Sequence, residues 1–157
     1  GLAKLANPTD VIELRLILEP QFARLAAVRA SSLEIARITR AAQSSPDENY
    51  GAGDLIFHLE IASATRNALG REFYNILRQV GADARVRLPA RRPMCSNQRK
   101  IRDAEHMRIA RAIADRDAEL AEVCMRAHLA RVQAVVMERI STDTSDLSNQ
   151  AATASGD

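Results

Sequence analysis

Residues 103–129 read DAEHMRIARAIADRDAELAEVCMRAHL. The stretch holds two helical periods separated by a break. In the first half His106 shares a face with Ile109, Ala110 and Ile113, and in the second His128 shares one with Cys124, Val132 and Val135. Spacings of three, four and seven are those of one side of an α-helix. Between them, Asp115-Arg116-Asp117 offers a stop and a fresh N-cap. The pattern predicts one helix over about 97–115 and another over about 117–140.

The same period continues outward through the chain, and no convincing strand alternation interrupts it. A first helix is expected over 10–30, capped by Thr9 or Asp10, with Leu14, Leu18, Phe22 and Leu25 as its apolar stripe. Pro20 lies inside it and removes a backbone donor, which predicts a kink. Ser31 followed by Glu34 is a capping-box pattern for a second helix over about 32–43. SSPDENYGAG (44–53) is rich in turn formers. A third helix ends near Asn67, and a fourth, weakened by Gly70 and Gly81, spans about 68–87. RVRLPARRP (85–93) and NQRK (97–100) read as polar loop. From Ser141 the chain has almost no large apolar residue, so a disordered tail is expected over 141–157. The domain proper is placed at 10–140, with 1–9 as the end of a linker. The expected fold is all-α: an antiparallel bundle of about six to seven helices around an internal ligand or metal cavity.

Composition narrows the function. At 157 residues the chain can bury a real core as one domain. A net charge of +2 argues against a dedicated nucleic-acid surface, which usually needs a strong basic excess. No apolar run reaches the length of a membrane span, about 18 residues, and no signal peptide is visible. Two cysteines, Cys95 and Cys124, make no disulfide framework, and a reducing cytoplasmic location is expected.

The chain has three histidines, His58, His106 and His128, and each points to the apolar side of its helix. Asp54 lies one turn before His58 in GDLIFHLEIASATRN (53–67). A buried carboxylate without a partner is costly. Three imidazoles and a cation would offset that cost. Residues four apart on a helix place their Cβ atoms about 6 Å from each other, within reach of one ion. Imidazoles with one carboxylate suit a divalent transition metal (zinc, nickel, manganese or iron) better than calcium or magnesium. Each histidine taken alone is more often a satisfied core residue than a ligand, and it is the joint pattern that points to an ion. Cys124, one turn before His128, is a weaker ligand candidate. Glu105 is the nearest candidate for a general base, which keeps a helical metal-dependent hydrolase as the alternative. It is expected to face away from the site, because adjacent helix residues point about 100° apart.

Three blocks then carry a resemblance: IELRLILEPQFARLAA (12–27), DLIFHLEIASATRN (54–67) and DAEHMRIARAIADRDAELAEVCMRAHL (103–129). Together they resemble the C-terminal ligand-sensing (FCD) domain of FadR-subfamily regulators in the GntR superfamily. The resemblance covers about 10–136 and includes Glu19-Pro20 and Met125-x-x-His128. It implies a non-enzymatic, homodimeric, effector-binding bundle. It implies a metal held by Asp54, His58, His106 and His128, and an organic-acid effector that meets Arg15 and Asn67. From the residues alone, Arg15 reads as a surface pair with Glu19, and Asn67 equally as a pocket residue or a helix cap. The resemblance also implies DNA binding through a winged helix-turn-helix domain upstream of this chain.

Overall fold

A computed structural model of the chain describes residues 7–43, 52–85 and 96–154. These form six α-helices: α1 (Pro8–Arg29), α2 (Ser32–Ala41), α3 (Ala52–Ala64), α4 (Ala68–Arg85), α5 (Ser96–Ala114) and α6 (Ala118–Ala154). No strand occurs among the described residues. The all-α expectation holds. Most of 44–53 and 86–93, and Cys95, lie outside the described residues.

α1 is the hub of the bundle. It packs most extensively against α6 and also touches α3, α4 and α5. Its start differs from the expected one. Asn7 is the N-cap, Pro8 takes the first helical position, and Asp10 closes a capping box with Asn7. This order, Asn-Pro-x-Asp, uses a proline where its missing N–H costs nothing. Of the expected stripe, Phe22 joins the core and Leu18 packs against it, but the stripe does not hold throughout. Leu14 is exposed, while Ile12, Glu19, Ala23, Ala26, Ala27 and Ala30 point inward. The small alanines of α1 belong to the same buried cluster as Ala121, Met125 and Leu129 of α6, the helix that α1 packs against most extensively.

α2 begins as expected. Glu34 accepts from the Ser31 backbone N–H at 2.6 Å, and the Ser31 hydroxyl accepts from Glu34 N–H at 3.3 Å. The backbone donor at Ser31 holds the Glu34 carboxyl below its ordinary range, with a smaller contribution from Arg66. A depressed folded-state pKa adds stability above the unfolded value, about 4.3, and that stability is lost as pH falls below it. Ser31→Ala is therefore expected to cost about 1 kcal/mol in urea unfolding at neutral pH. Glu34→Gln should weaken the drop in stability between neutral and acidic pH. An unchanged acid limb would remove Glu34 from the cap.

The Asp-Arg-Asp break works as expected, with an additional role. The Asp117 side chain accepts from Leu120 N–H at 2.9 Å and caps α6. Arg116 adopts a left-handed conformation, φ 63°, and its Nη1 donates to the carbonyls of Ala27 and Ala30 at 3.2 and 2.6 Å. A cation at the C-terminal end of α1 also complements that helix's dipole. Arg116→Gly removes these bonds but relieves the backbone, whereas Arg116→Ala removes the bonds and keeps the strain. The glycine variant should be the more stable by about 1 kcal/mol in a denaturant titration. Equal stabilities would show that the conformation carries no strain.

α6 does not stop near 140. It continues to Ala154, past the expected start of a disordered tail. No glycine or proline occurs between 118 and 154, and extending a formed helix needs no new nucleation. NQRK begins α5, as the expected helix over 97–115 has it and not the loop reading.

Candidate metal centre

Asp54 and His58 lie one turn apart on α3, His106 on α5 and His128 on α6. The three imidazoles are sealed, each at most 2% exposed, and the Asp54 side chain is 21% exposed. One donor atom from each of the four lies within 4.8 Å of the others. His106 Nε2 is 3.2 Å from Asp54 Oδ1 and 3.4 Å from His128 Nε2. His58 Nε2 is 3.8 Å from the same Asp54 oxygen. Each of these residues is where the sequence placed it, on the inner side of its helix.

Phe57, which the sequence reading passed over, forms a wall of the cluster. Its ring stacks on His106 at 4.1 Å and 16°, and meets His58 edge-on at 5.4 Å. Its neighbour in the chain is a candidate ligand, so one turn of α3 supplies both wall and donor. Phe57→Ala is expected to cost about 3–5 kcal/mol of stability, because a fully buried aromatic leaves a cavity. Circular dichroism melting reads the loss, and a cost below about 1 kcal/mol would show that the neighbours collapse to fill the space.

Outside the cluster sit two carboxylates. Glu19 on α1 is 2% exposed. Its Oε2 lies 2.5 Å from His58 Nδ1, a close contact that is poorly aligned for a hydrogen bond, and its Oε1 accepts from Arg15 Nε at 2.5 Å. Glu105 on α5 accepts from His128 Nδ1 at 2.7 Å, and Arg131 donates to it from Nε at 2.6 Å and Nη2 at 2.8 Å. Glu105 faces away from His106, as expected, yet it reaches the site from behind through His128. Both of its oxygens are engaged there, so it is not a free base aimed into the cluster. Sequence spacing alone could have flagged Arg131, three residues after His128 on the same side of α6.

Arg15 therefore does pair with Glu19, but the pair is buried rather than at the surface, with side chains 11% and 2% exposed. Asn67 lies outside the cluster. It is exposed, and its side-chain oxygen accepts from Gly70 N–H at 3.0 Å, capping α4. Cys124 is also apart, partly exposed on α6 and absent from the four-donor group.

The electrostatics follow from these contacts. Burial pushes the Asp54 carboxyl up, but the His106 hydrogen bond and the nearby His58, His106 and Arg15 outweigh it and hold the group well below the ordinary range. Burial likewise opposes ionisation of Glu19 and Glu105, yet Arg15 and His58 hold the first at about 2, and His128 and Arg131 hold the second at about 2. Burial lowers His106 and His128, only partly countered by Asp54 and Glu105, which favours neutral rings. Neutral imidazoles around an ionised carboxylate are the protonation states that a transition metal requires. His58 Nε2 has no hydrogen-bond partner, although it is buried. A buried orphan nitrogen turned toward three other donors fits a cation at their centre.

The described residues thus form an α-helical bundle around a buried cluster of three histidines and one aspartate. A family model for the FCD domain matches residues 10–131, and the chain belongs to that family. The chain is also 27% identical over 146 residues to the Uxu operon transcriptional regulator of Escherichia coli (strain K12). That match covers 88% of this chain and 57% of the regulator, so the chain spans little more than half of its relative. No helix among the described residues is long and apolar enough to cross a membrane.

Proposed function

We propose that this domain is the effector-sensing part of a transcriptional regulator, and that it binds one divalent transition metal and, against it, a small organic acid. The observation that carries the metal is the four-donor group of Asp54, His58, His106 and His128. Zinc, nickel, manganese and iron suit that donor set. A bound metal would offer a Lewis-acidic position to a carboxylate oxygen.

Support for an anionic effector comes from the cations nearby. Arg15 acts on Asp54, and Arg102, buried on α5, acts on His106. Arg78 on α4 has a buried Nε with no hydrogen-bond partner, and its charge acts on buried Tyr74. An unpaired guanidinium nitrogen in such a place suits a carboxylate ligand. Arg15 and Asn67 remain the effector contacts that the family resemblance implies.

Binding would act by population shift. The acid favours one arrangement of the four helices that surround the site, and a pair of such domains passes that preference to a DNA-binding domain upstream. The relative's role as a transcriptional regulator supports this coupling.

The deciding experiment is a thermal-shift screen of small hydroxy, sugar and dicarboxylic acids, with and without chelator. An acid that raises the melting temperature only when metal is present identifies effector class and site together. Elemental analysis should find about one transition metal per chain. If none is retained after zinc and nickel are offered, the metal is removed from the proposal.

A further inference from the structure

We infer that Glu19 with Arg15, and Glu105 with Arg131, are positioning pairs that hold His58 and His128 with Nδ1 protonated and the Nε2 lone pair turned to the metal. The inference rests on the metal reading above and extends it to four residues that supply no ligand. An ionised carboxylate only accepts hydrogen bonds. The ring nitrogen 2.7 Å from Glu105 must therefore carry the proton. Glu19 Oε2, 2.5 Å from His58 Nδ1, is not aligned for a hydrogen bond, but its negative charge beside that nitrogen favours the tautomer that carries the proton there. In a neutral ring the other nitrogen, Nε2, then keeps its lone pair. Both Nε2 atoms lie in the four-donor group.

The same order, guanidinium to carboxylate to imidazole, is assembled twice by different routes. On one side Arg15 and Glu19 are four apart on α1 and reach across to α3. On the other, Glu105 on α5 receives His128 and Arg131, three apart on α6. In each case the arginine occupies the carboxylate's remaining capacity, which fixes its orientation. Among the described residues, His106 has no such carboxylate and arginine pair behind it. Its ring is held by stacking on Phe57 instead. Through Glu19, α1 becomes part of the metal centre although it contributes no ligand.

Two readouts test this, one independent of metal. In metal-free wild-type protein at about pH 8.5, where histidines are neutral, ring nitrogen-15 NMR should show His58 and His128 as Nδ1–H tautomers. Glu105→Ala should abolish that preference at His128. Zinc affinity, measured by competition with a chromophoric chelator, should fall about 10–100-fold in Glu105→Ala and in Glu19→Gln. Saturating zinc should still give one ion per chain. Arg131→Met should lie between wild type and Glu105→Ala. Because Glu19 is sealed and its variant can fail to fold, the half-exposed Glu105 and Arg131 variants suffice for the decision. An Nε2–H tautomer at either wild-type histidine overturns the inference, as do unchanged affinity and tautomer in Glu105→Ala. If wild type binds no zinc at all, the metal reading fails, and the tautomer spectra alone judge the positioning pairs.

Discussion

On the proposed metal reading, His106→Ala is expected to retain the bundle but bind no transition metal and show no metal-dependent change in melting temperature. His106 is the centre of the cluster, with Nε2 3.2 Å from Asp54 and 3.4 Å from His128. Its removal leaves three donors with a void between them. In wild type, a metal present at a thousand times its dissociation constant stabilises by about 4 kcal/mol. For a domain of this size, that is a rise of about 10 °C in melting temperature. The variant should melt at the same temperature with zinc and with chelator. Its own packing cost, under the Phe57 ring, appears in the chelated state and is read separately. Full metal occupancy in this variant would take His106 out of the site.

Arg15→Met should be the most destabilising substitution on α1. The guanidinium and the Glu19 carboxylate are both largely withdrawn from water. Removing one partner leaves the other charge buried, which costs about 3–5 kcal/mol, well above the value of an exposed helix pair. Urea unfolding of the metal-free protein measures this without interference from ligand binding. Replacing both, as Arg15→Met with Glu19→Leu, should recover part of the loss, since no charge is then stranded. His58 Nδ1 still loses its carboxylate neighbour, so recovery stays incomplete. A loss below about 1 kcal/mol for the single variant would mean that water reaches Glu19 and that the pair acts as a surface pair.

The helices were legible in the sequence because their period is long and their punctuation explicit. Ser31, Glu34 and Asp117 cap where capping residues are expected, and the Asp-Arg-Asp turn divides α5 from α6. The four candidate ligands were legible for a different reason. Only three histidines exist, and each falls on the inner side of its helix. What lay behind them was harder to read. Glu19 meets His58, and Glu105 meets His128, across helix crossings whose angle and depth no single-helix pattern contains. Glu19 also sits in an apolar run, where a carboxylate looks like a surface residue until its face is known. The buried side of α1 was only partly legible: Phe22 is buried as the stripe predicts, but Leu14 is exposed while small alanines join the core. Asn67 had two readings in sequence, cap and pocket, and the cap is the one its hydrogen bond to Gly70 displays.

The attachment of α1 has a mechanical side. The helix has 22 residues and is gripped near its C-terminal end, where Arg116 holds the Ala27 and Ala30 carbonyls and Arg29 donates to the Thr65 carbonyl. Glu19 touches His58 near the helix midpoint. At a rise of 1.5 Å per residue, the distance from Ala30 to Glu19 is about 16 Å, and from Ala30 to Pro8 about 33 Å. Glu19 thus stands midway along α1, about 16 Å from either end, so a displacement of the His58 imidazole bears on the helix at its centre.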